Sequence, residues 1–390
     1  MRILKEAGHE VAVYSRANNQ NEESAYARYF PPEIETEGLG LSIEALKTAK
    51  ELVSSSDAKK GLMKVIDGFK PDIAHAHNIY GRLSLSVLDA LKEKRIPTVL
   101  TLHDYKILCP SYLMLNHGKI CERCKGGRFI NAVLTRCHKN SLPASAIYAF
   151  ESWINHRFGK YASTKLLISP SKFLRDKVIE FGWDAGKVEY IPNFIDTSKI
   201  IKEEKPGRYL LYLGRLSHEK GVQTLLESLY RTGSNRPPLK IVGDGPEKET
   251  LQAKARDMGM DIDFTGYLSG KSLDDAITGA RAVVMPSEWY ENAPLSLIES
   301  FAYGKPVIGA RIGGIPDMID DGMNGILFES GNANDLKEKI EHFVSLSDDA
   351  VATMGQSARK KAESVYNPQT HYEKLISAYR RAMGVASSCA

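Results

Sequence analysis

Short apolar, β-branched runs alternate with longer amphipathic segments in two successive series along this 390-residue chain. The first series holds the strand candidates "EVAVYS" (10–15), "DIAHAH" (72–77), "PTVLTLH" (97–103) and "KLLIS" (165–169), with helical patterns such as 83–93 and 171–181 between them. The second begins at "RYLLYLG" (208–214) and continues through "LKIVG" (239–243), "IDFTG" (262–266), "RAVVMP" (281–286) and "PVIGA" (306–310), each followed by a helix-like segment. Such alternation builds parallel sheets with helices on both faces. A chain of this length exceeds one ordinary core, so two doubly wound α/β domains are expected. The polar stretch "DTSKIIKEEKPG" (196–207) ends in Pro-Gly and is read as the linker. The expected organisation is a first domain over 1–195, a second over 196–367, and a C-terminal helix and tail over 368–390.

Composition narrows the function classes. Apolar residues are 43% and charged residues 26%, the balance of a globular protein. No apolar run is long enough to span a bilayer, and Lys5, Glu6, His9 and Glu10 stand where an export signal needs apolar residues. The expected location is therefore cytoplasmic. A net charge of +4 is too small to argue for nucleic acid but allows a basic face toward an anionic partner. Five cysteines favour free thiols or a metal over a disulfide framework.

Open α/β sheets bind ligands beyond the C-terminal ends of their strands, so motifs directly after strands carry the functional reading. After "YLLYLG" comes "RLSHEKG": Gly214 permits a tight turn, Arg215 and Lys220 supply two cations, and Gly221 opens the next helix. Cations beside a helix N-terminus suit a pyrophosphate, whereas solvated surface cations are the alternative. In "VGDGPE" (242–247), Gly243 and Gly245 begin like a dinucleotide fingerprint, but position 248 is Lys. That loop is shaped either for close backbone approach near a base or as a plain turn with Pro246 opening a helix.

In "SEWYENAPLSLIESFAYGKP" (287–306), Pro294 starts a helix that Gly304 stops, with Glu291 before it and Glu299 inside it. Eight helical positions span about 12 Å of rise. Paired glycosidase carboxylates stand about 5 to 9.5 Å apart, so these two are unsuited to sharing one bond. They suit the two ends of a polyhydroxylated ligand with phosphates between them, which is the layout of a nucleotide sugar.

The segment "PSEWYENAPLSLIESFAYGKPVIG", with its E-x7-E pair Glu291 and Glu299, together with "YLGRLSHEKG" and "VGDGPE", resembles the retaining glycosyltransferases of family 4. The resemblance implies the GT-B fold, two facing Rossmann-like domains with a C-terminal helix returning to the first. It also implies a donor site with Arg215 and Lys220 on the diphosphate, Glu291 on the sugar hydroxyls and Glu299 on the ribose. Gly214, Gly243 and Gly245 would shape that site, and the backbone around Ala293, Pro294 and Leu295 would hold sugar and phosphate. "TVLTLHDYK" resembles the segment whose histidine lies beside the reacting sugar, His103 here, with a structural histidine as the alternative. His77 and Asp104 are acceptor-side candidates. The implied reaction moves a hexosyl unit from a UDP- or GDP-sugar to a glycan or lipid-linked acceptor and needs no metal. A GT-B epimerase and a catalytically inactive sugar-nucleotide or glycan-binding protein are the other readings.

Two features depart from that family pattern. The chain opens at "MRILKEAGHEVAVYS", where residues 1–8 read as the end of a helix closed by Gly8. A first strand and Gly-rich loop are therefore expected to be missing, with poor stability or activity as the consequence. Cys109, Cys121, Cys124 and Cys137 lie in an insertion at about 105–140, where they either hold a structural zinc or remain free thiols. The same region carries Lys119, Arg123, Lys125, Arg128, Arg136 and Lys139 among Tyr112, Leu113 and Phe129. That face suits either peripheral contact with a membrane or plain solvation.

Overall fold

The computed structural model describes residues 1–33, 50–51, 53–81, 83–200 and 205–385. Its first sheet is formed by β1 (Ala74–His77), β2 (Thr98–Thr101), β5 (Thr164–Ser169) and β6 (Val188–Tyr190), all parallel, in the order β1-β2-β5-β6. Between β2 and β5 lies a small antiparallel hairpin, β3 (Leu115–Asn116) and β4 (Lys119–Ile120). The second sheet comprises β7 (Tyr209–Leu213), β8 (Leu239–Val242), β9 (Asp263–Gly266), β10 (Ala280–Met285), β11 (Val307–Ala310) and β12 (Gly325–Phe328). Its order is β12-β11-β10-β7-β8-β9, again wholly parallel.

The two-residue period of a strand divides each sheet between two cores. In the first sheet, Ala76, Leu100, Leu167 and Val188 sit in one register row and pack with Leu88, Leu91 and Leu174. Their neighbours Val99, Leu166 and Ile168 face the other way, against Leu375, Ala378, Tyr379 and Ala382. These four belong to the helix Pro368–Met383, which crosses back from the second sheet to cover the first. Asn367 caps it by accepting from the N–H of Thr370 at 2.8 Å, Pro368 opens it, and Gly384 ends it in a left-handed conformation (φ 73°). In the second sheet, Val284, Ile308 and Ile326 share a row against Leu225, Leu336 and Phe343, while Val283, Val307 and Leu327 face Leu297, Ile298 and Phe301. Fully burying each such side chain contributes about 1.5–3 kcal/mol, so both sheets hold their helices firmly.

One expected strand is absent: residues 10–15 run without a ladder partner among the described residues. Tyr14 instead packs under the helix Ser56–Phe69 and donates to the carbonyl of Ala58 at 2.7 Å. Residues 201–204 of the expected linker lie outside the described residues.

Candidate active site

The loop after β10 carries the motif glutamate. Glu291 is 4% exposed, and its Oε1 accepts from Nζ of Lys220 at 2.7 Å and from Oγ of Ser287 at 2.6 Å. An ammonium and a hydroxyl compensate a carboxylate that is otherwise costly to bury. Lys220 also lies 5.0 Å from the centre of the Trp289 ring. The backbone of the same residue is fixed as well: Gly314 N–H donates to the Glu291 carbonyl at 2.7 Å, and Tyr105 hydroxyl reaches it at 3.4 Å. The helix Leu295–Ala302 follows, with Pro294 at its cap. Its first N–H groups lack intrahelical acceptors, which makes its start suited to an anionic or hydroxyl-bearing ligand. Glu299 lies half-buried inside that helix, and burial raises its carboxyl above the usual range.

Gly221 lets a neighbouring loop close on this one, and two further glycines let that loop and the one after β8 close on each other. Gly221 has φ 67°, and a Cβ there would sit 1.9 Å from the Pro286 carbonyl oxygen. At Gly243, φ is 143° and a Cβ would fall 1.9 Å from the carbonyl oxygen of Gly214. Gly245 approaches the Leu216 carbonyl in the same way. "VGDGPE" thus packs against "GRLS", which explains its glycines by contact between loops. Arg215 is exposed, and its positive charge is felt by Tyr112 of the first domain.

Across the cleft, three histidines cluster at the ends of β1 and β2. Nδ1 of His77 and Nε2 of His103 are 2.9 Å apart, and the His75 and His77 rings are centred 4.0 Å apart. Both nitrogens of His75 are engaged, by Tyr379 hydroxyl and Thr101 hydroxyl, each at 2.7 Å. Burial, with the neighbouring His103, pushes His77 down to about 4, and burial lowers His103 too. All three rings are therefore neutral near pH 7, and a shared hydrogen bond leaves Nδ1 of His103 for a ligand. Asp104 is committed locally: its Oδ1 accepts from Lys106 N–H at 2.8 Å, and burial raises its carboxyl.

The residue beside Glu291 joins the two walls. Asn292 donates from Nδ2 to the carbonyls of Leu102 at 3.1 Å and His103 at 3.2 Å, while its Oδ1 accepts from Ser171 hydroxyl at 2.7 Å. Asn193 donates to the Ala293 carbonyl at 3.2 Å. Thus Ser171, Asn193 and Asn292 form a polar seam that ties the loop of Glu291, itself paired with Lys220, to the backbone of Leu102 and His103. The sequence reading missed these three because uncharged amides and hydroxyls leave no motif of their own.

The insertion also reaches this seam. Glu122 accepts from Tyr290 hydroxyl at 2.9 Å and pairs with Lys177 at 2.9 Å, and Gly118 at the hairpin turn lies against His218. Among the described residues no group of three or more His, Cys, Asp or Glu is disposed to hold a metal ion, although the thiols of Cys109, Cys121, Cys124 and Cys137 lie near enough for their charges to act on one another. Cys109 belongs to the main core and contacts Ser111 hydroxyl at 3.2 Å, whereas Cys124 and Cys137 pack with Phe129 and Ala132. Burial, reinforced by the neighbouring thiols, pushes the Cys124 thiol up to about 12.

Comparisons with known proteins add to this geometry. The family "Glycosyltransferase Family 4" matches residues 1–199, and "Glycosyl transferases group 1" matches residues 194–361. A sulfoquinovosyl transferase of Arabidopsis thaliana is 34% identical over 163 residues, which are 41% of this chain and 30% of that protein. A glycogen synthase of Mycobacterium tuberculosis is 26% identical over 387 residues, 94% of this chain and 85% of its own length. The crystal structure of Anabaena HepE in complex with UDP superposes with a TM-score of 0.61 at 18% identity, covering 82% of this chain and 80% of that one. The two sheets and their helices thus form a GT-B fold.

Proposed function

The chain belongs to glycosyltransferase family 4, and from that premise we propose that it moves a hexosyl unit from a nucleotide-diphosphate sugar to a glycan or lipid-linked acceptor, with retention at the anomeric carbon. The observation that carries this reading is the buried Glu291 carboxylate, held 2.7 Å from Lys220 and joined through Asn292 to the backbone of His103. A UDP complex among the structures of the same fold is consistent with such a donor.

In this reading the donor diphosphate lies over the start of the helix Leu295–Ala302. Arg215 and Lys220 neutralise it; an ammonium has three donors, so Lys220 can keep Glu291 and still reach a phosphate oxygen. Glu291 and the backbone around Ala293, Pro294 and Leu295 hold the sugar, and Glu299 accepts from the ribose hydroxyls. Neutral His103 holds a sugar hydroxyl, with His77 fixing its tautomer. The bond from the anomeric carbon to the phosphate oxygen breaks, the acceptor oxygen bonds to the same face, and the acceptor proton passes to the leaving phosphate. Cationic side chains and the helix dipole stabilise that leaving group, and no metal enters the scheme. The place of action in this reading is the cytoplasm, at the inner face of the cell membrane where the acceptor is lipid-linked.

A panel of UDP- and GDP-sugars screened by thermal shift, followed by NMR of the product anomer, tests the proposal. A single donor class should raise the melting temperature and give a product of unchanged anomeric configuration. Inversion, or interconversion of the donor sugar without an acceptor, would overturn it.

A further inference from the structure

The helix Leu142–Arg157 is amphipathic in reverse. It buries Ser145, Ala149, Glu151, Ser152 and Asn155 and turns Leu142, Phe150 and Trp153 outward. A turn of about 100° per residue places Leu142, Ala146, Phe150, Trp153 and Arg157 in one stripe. Phe150 and Trp153 stack with ring centres 6.1 Å apart. The short helix Ile130–Leu134 packs beside it and presents Ile130 and Leu134, one turn apart. With Phe158 at the end of the longer helix, these six large apolar side chains are each 47–73% exposed. Phe129, expected at this face from sequence, is instead buried at 4% exposure.

Charge frames the patch. Between 119 and 163 the acidic residues are Glu122 and Glu151. Glu122 is held by Tyr290 and Lys177, and Glu151 is buried 2.6 Å from Lys106. Arg123, Arg128, Arg136, Lys139 and Arg157 are exposed, and none makes an ion pair among the described residues. Exposed aromatics flanked by uncompensated cations fit the headgroup boundary of an anionic bilayer. A second copy of the chain would set these cations against themselves, which disfavours self-association through the same face.

We propose that Ile130, Leu134, Leu142, Phe150, Trp153 and Phe158, with the surrounding arginines and lysine, dock this protein onto an anionic lipid surface. The side chains enter the boundary between headgroups and acyl chains while the cations meet lipid phosphates. This deepens the lipid-linked acceptor reading, because docking there would present the cleft to a membrane-bound acceptor. The assay below contains neither donor nor acceptor, so its failure would leave the transferase reading standing.

The full chain is sedimented with vesicles of phosphatidylcholine alone or mixed with phosphatidylglycerol. Binding should require phosphatidylglycerol, fall with added salt, and weaken roughly tenfold or more in Arg136→Glu/Lys139→Glu and in Phe150→Ser/Trp153→Ser. Ile130→Ser/Leu134→Ser gives a second apolar test on the neighbouring helix, and circular dichroism checks that each variant is folded. Wild-type protein that ignores anionic vesicles, or folded variants that bind like wild type, would overturn the proposal. So would self-association abolished by Phe150→Ser/Trp153→Ser without vesicle binding, which would make the patch a contact between copies.

Discussion

The ammonium of Lys220 lies 2.7 Å from Oε1 of Glu291, joining strand-end loops 71 residues apart. Lys220→Met leaves a buried carboxylate with Ser287 alone and removes a cation from the diphosphate. Charge-assisted contacts are worth about 1.5–3 kcal/mol, so kcat/KM for the donor should fall roughly 10- to 100-fold or more. Lys220→Arg should restore little, since a planar guanidinium does not replace a compact ammonium between two acceptors. Steady-state kinetics with the donor varied checks both.

Asn292 should behave as the pin between the domains. Asn292→Asp sets a carboxylate against the carbonyls of Leu102 and His103, whereas Asn292→Ala only deletes the bonds. Leaving buried partners unpaired costs about 1–3 kcal/mol, and the aspartate should cost more than the alanine. Thermal unfolding reads the order, and Ser171→Ala should have a smaller effect than either.

Glu122 should act at a distance. It holds Tyr290, the residue before Glu291, and is clamped by Lys177, which also lies 5.6 Å from the Tyr290 ring centre. Glu122→Ala and Tyr290→Phe should each raise the donor KM, and the double variant should do little more than either alone. A double-mutant cycle measures that coupling.

The three histidines give a stability dependence on pH. Their folded pKa values lie below the ordinary value of 6.5, with His77 at about 4. As pH falls through about 6.5 the unfolded chain takes up protons that the folded chain refuses, so stability is lost between about 6.5 and about 4. Asp104 and Glu299, raised by burial, have the opposite sign, whereas His138, His156 and His371, lowered by burial like the three, add to the decline. Melting temperature against pH should decline in that window, and His77→Asn should make the decline shallower.

The sheets were legible because long apolar runs at the βα period have few other ways to be buried. β6 and β12 were not named because "VEY" and "GILF" are short, and only their neighbours Leu167 and Ile308 show which sheet they join. The opposite error, a strand at 10–15, arose because β-branched alternation records propensity and not the presence of a partner. At the site, Lys220 and Glu291 were visible as charges after strands, yet their mutual pairing was not, since it depends on how Gly221 seats one loop against Pro286. The reversed helix Leu142–Arg157 shows the limit most clearly: its exposed face is the apolar one, so periodicity alone cannot tell inside from outside.

The most direct test is transfer and nucleoside diphosphate binding by Glu291→Ala and Glu299→Ala beside the parent, each checked for folding. The expected result is transfer reduced roughly 100-fold or more for Glu291→Ala, with nucleotide binding weakened chiefly in Glu299→Ala, because one contact serves the sugar and the other the ribose. Folded variants that bind and transfer like the parent would contradict the assignment of this cleft as the donor site.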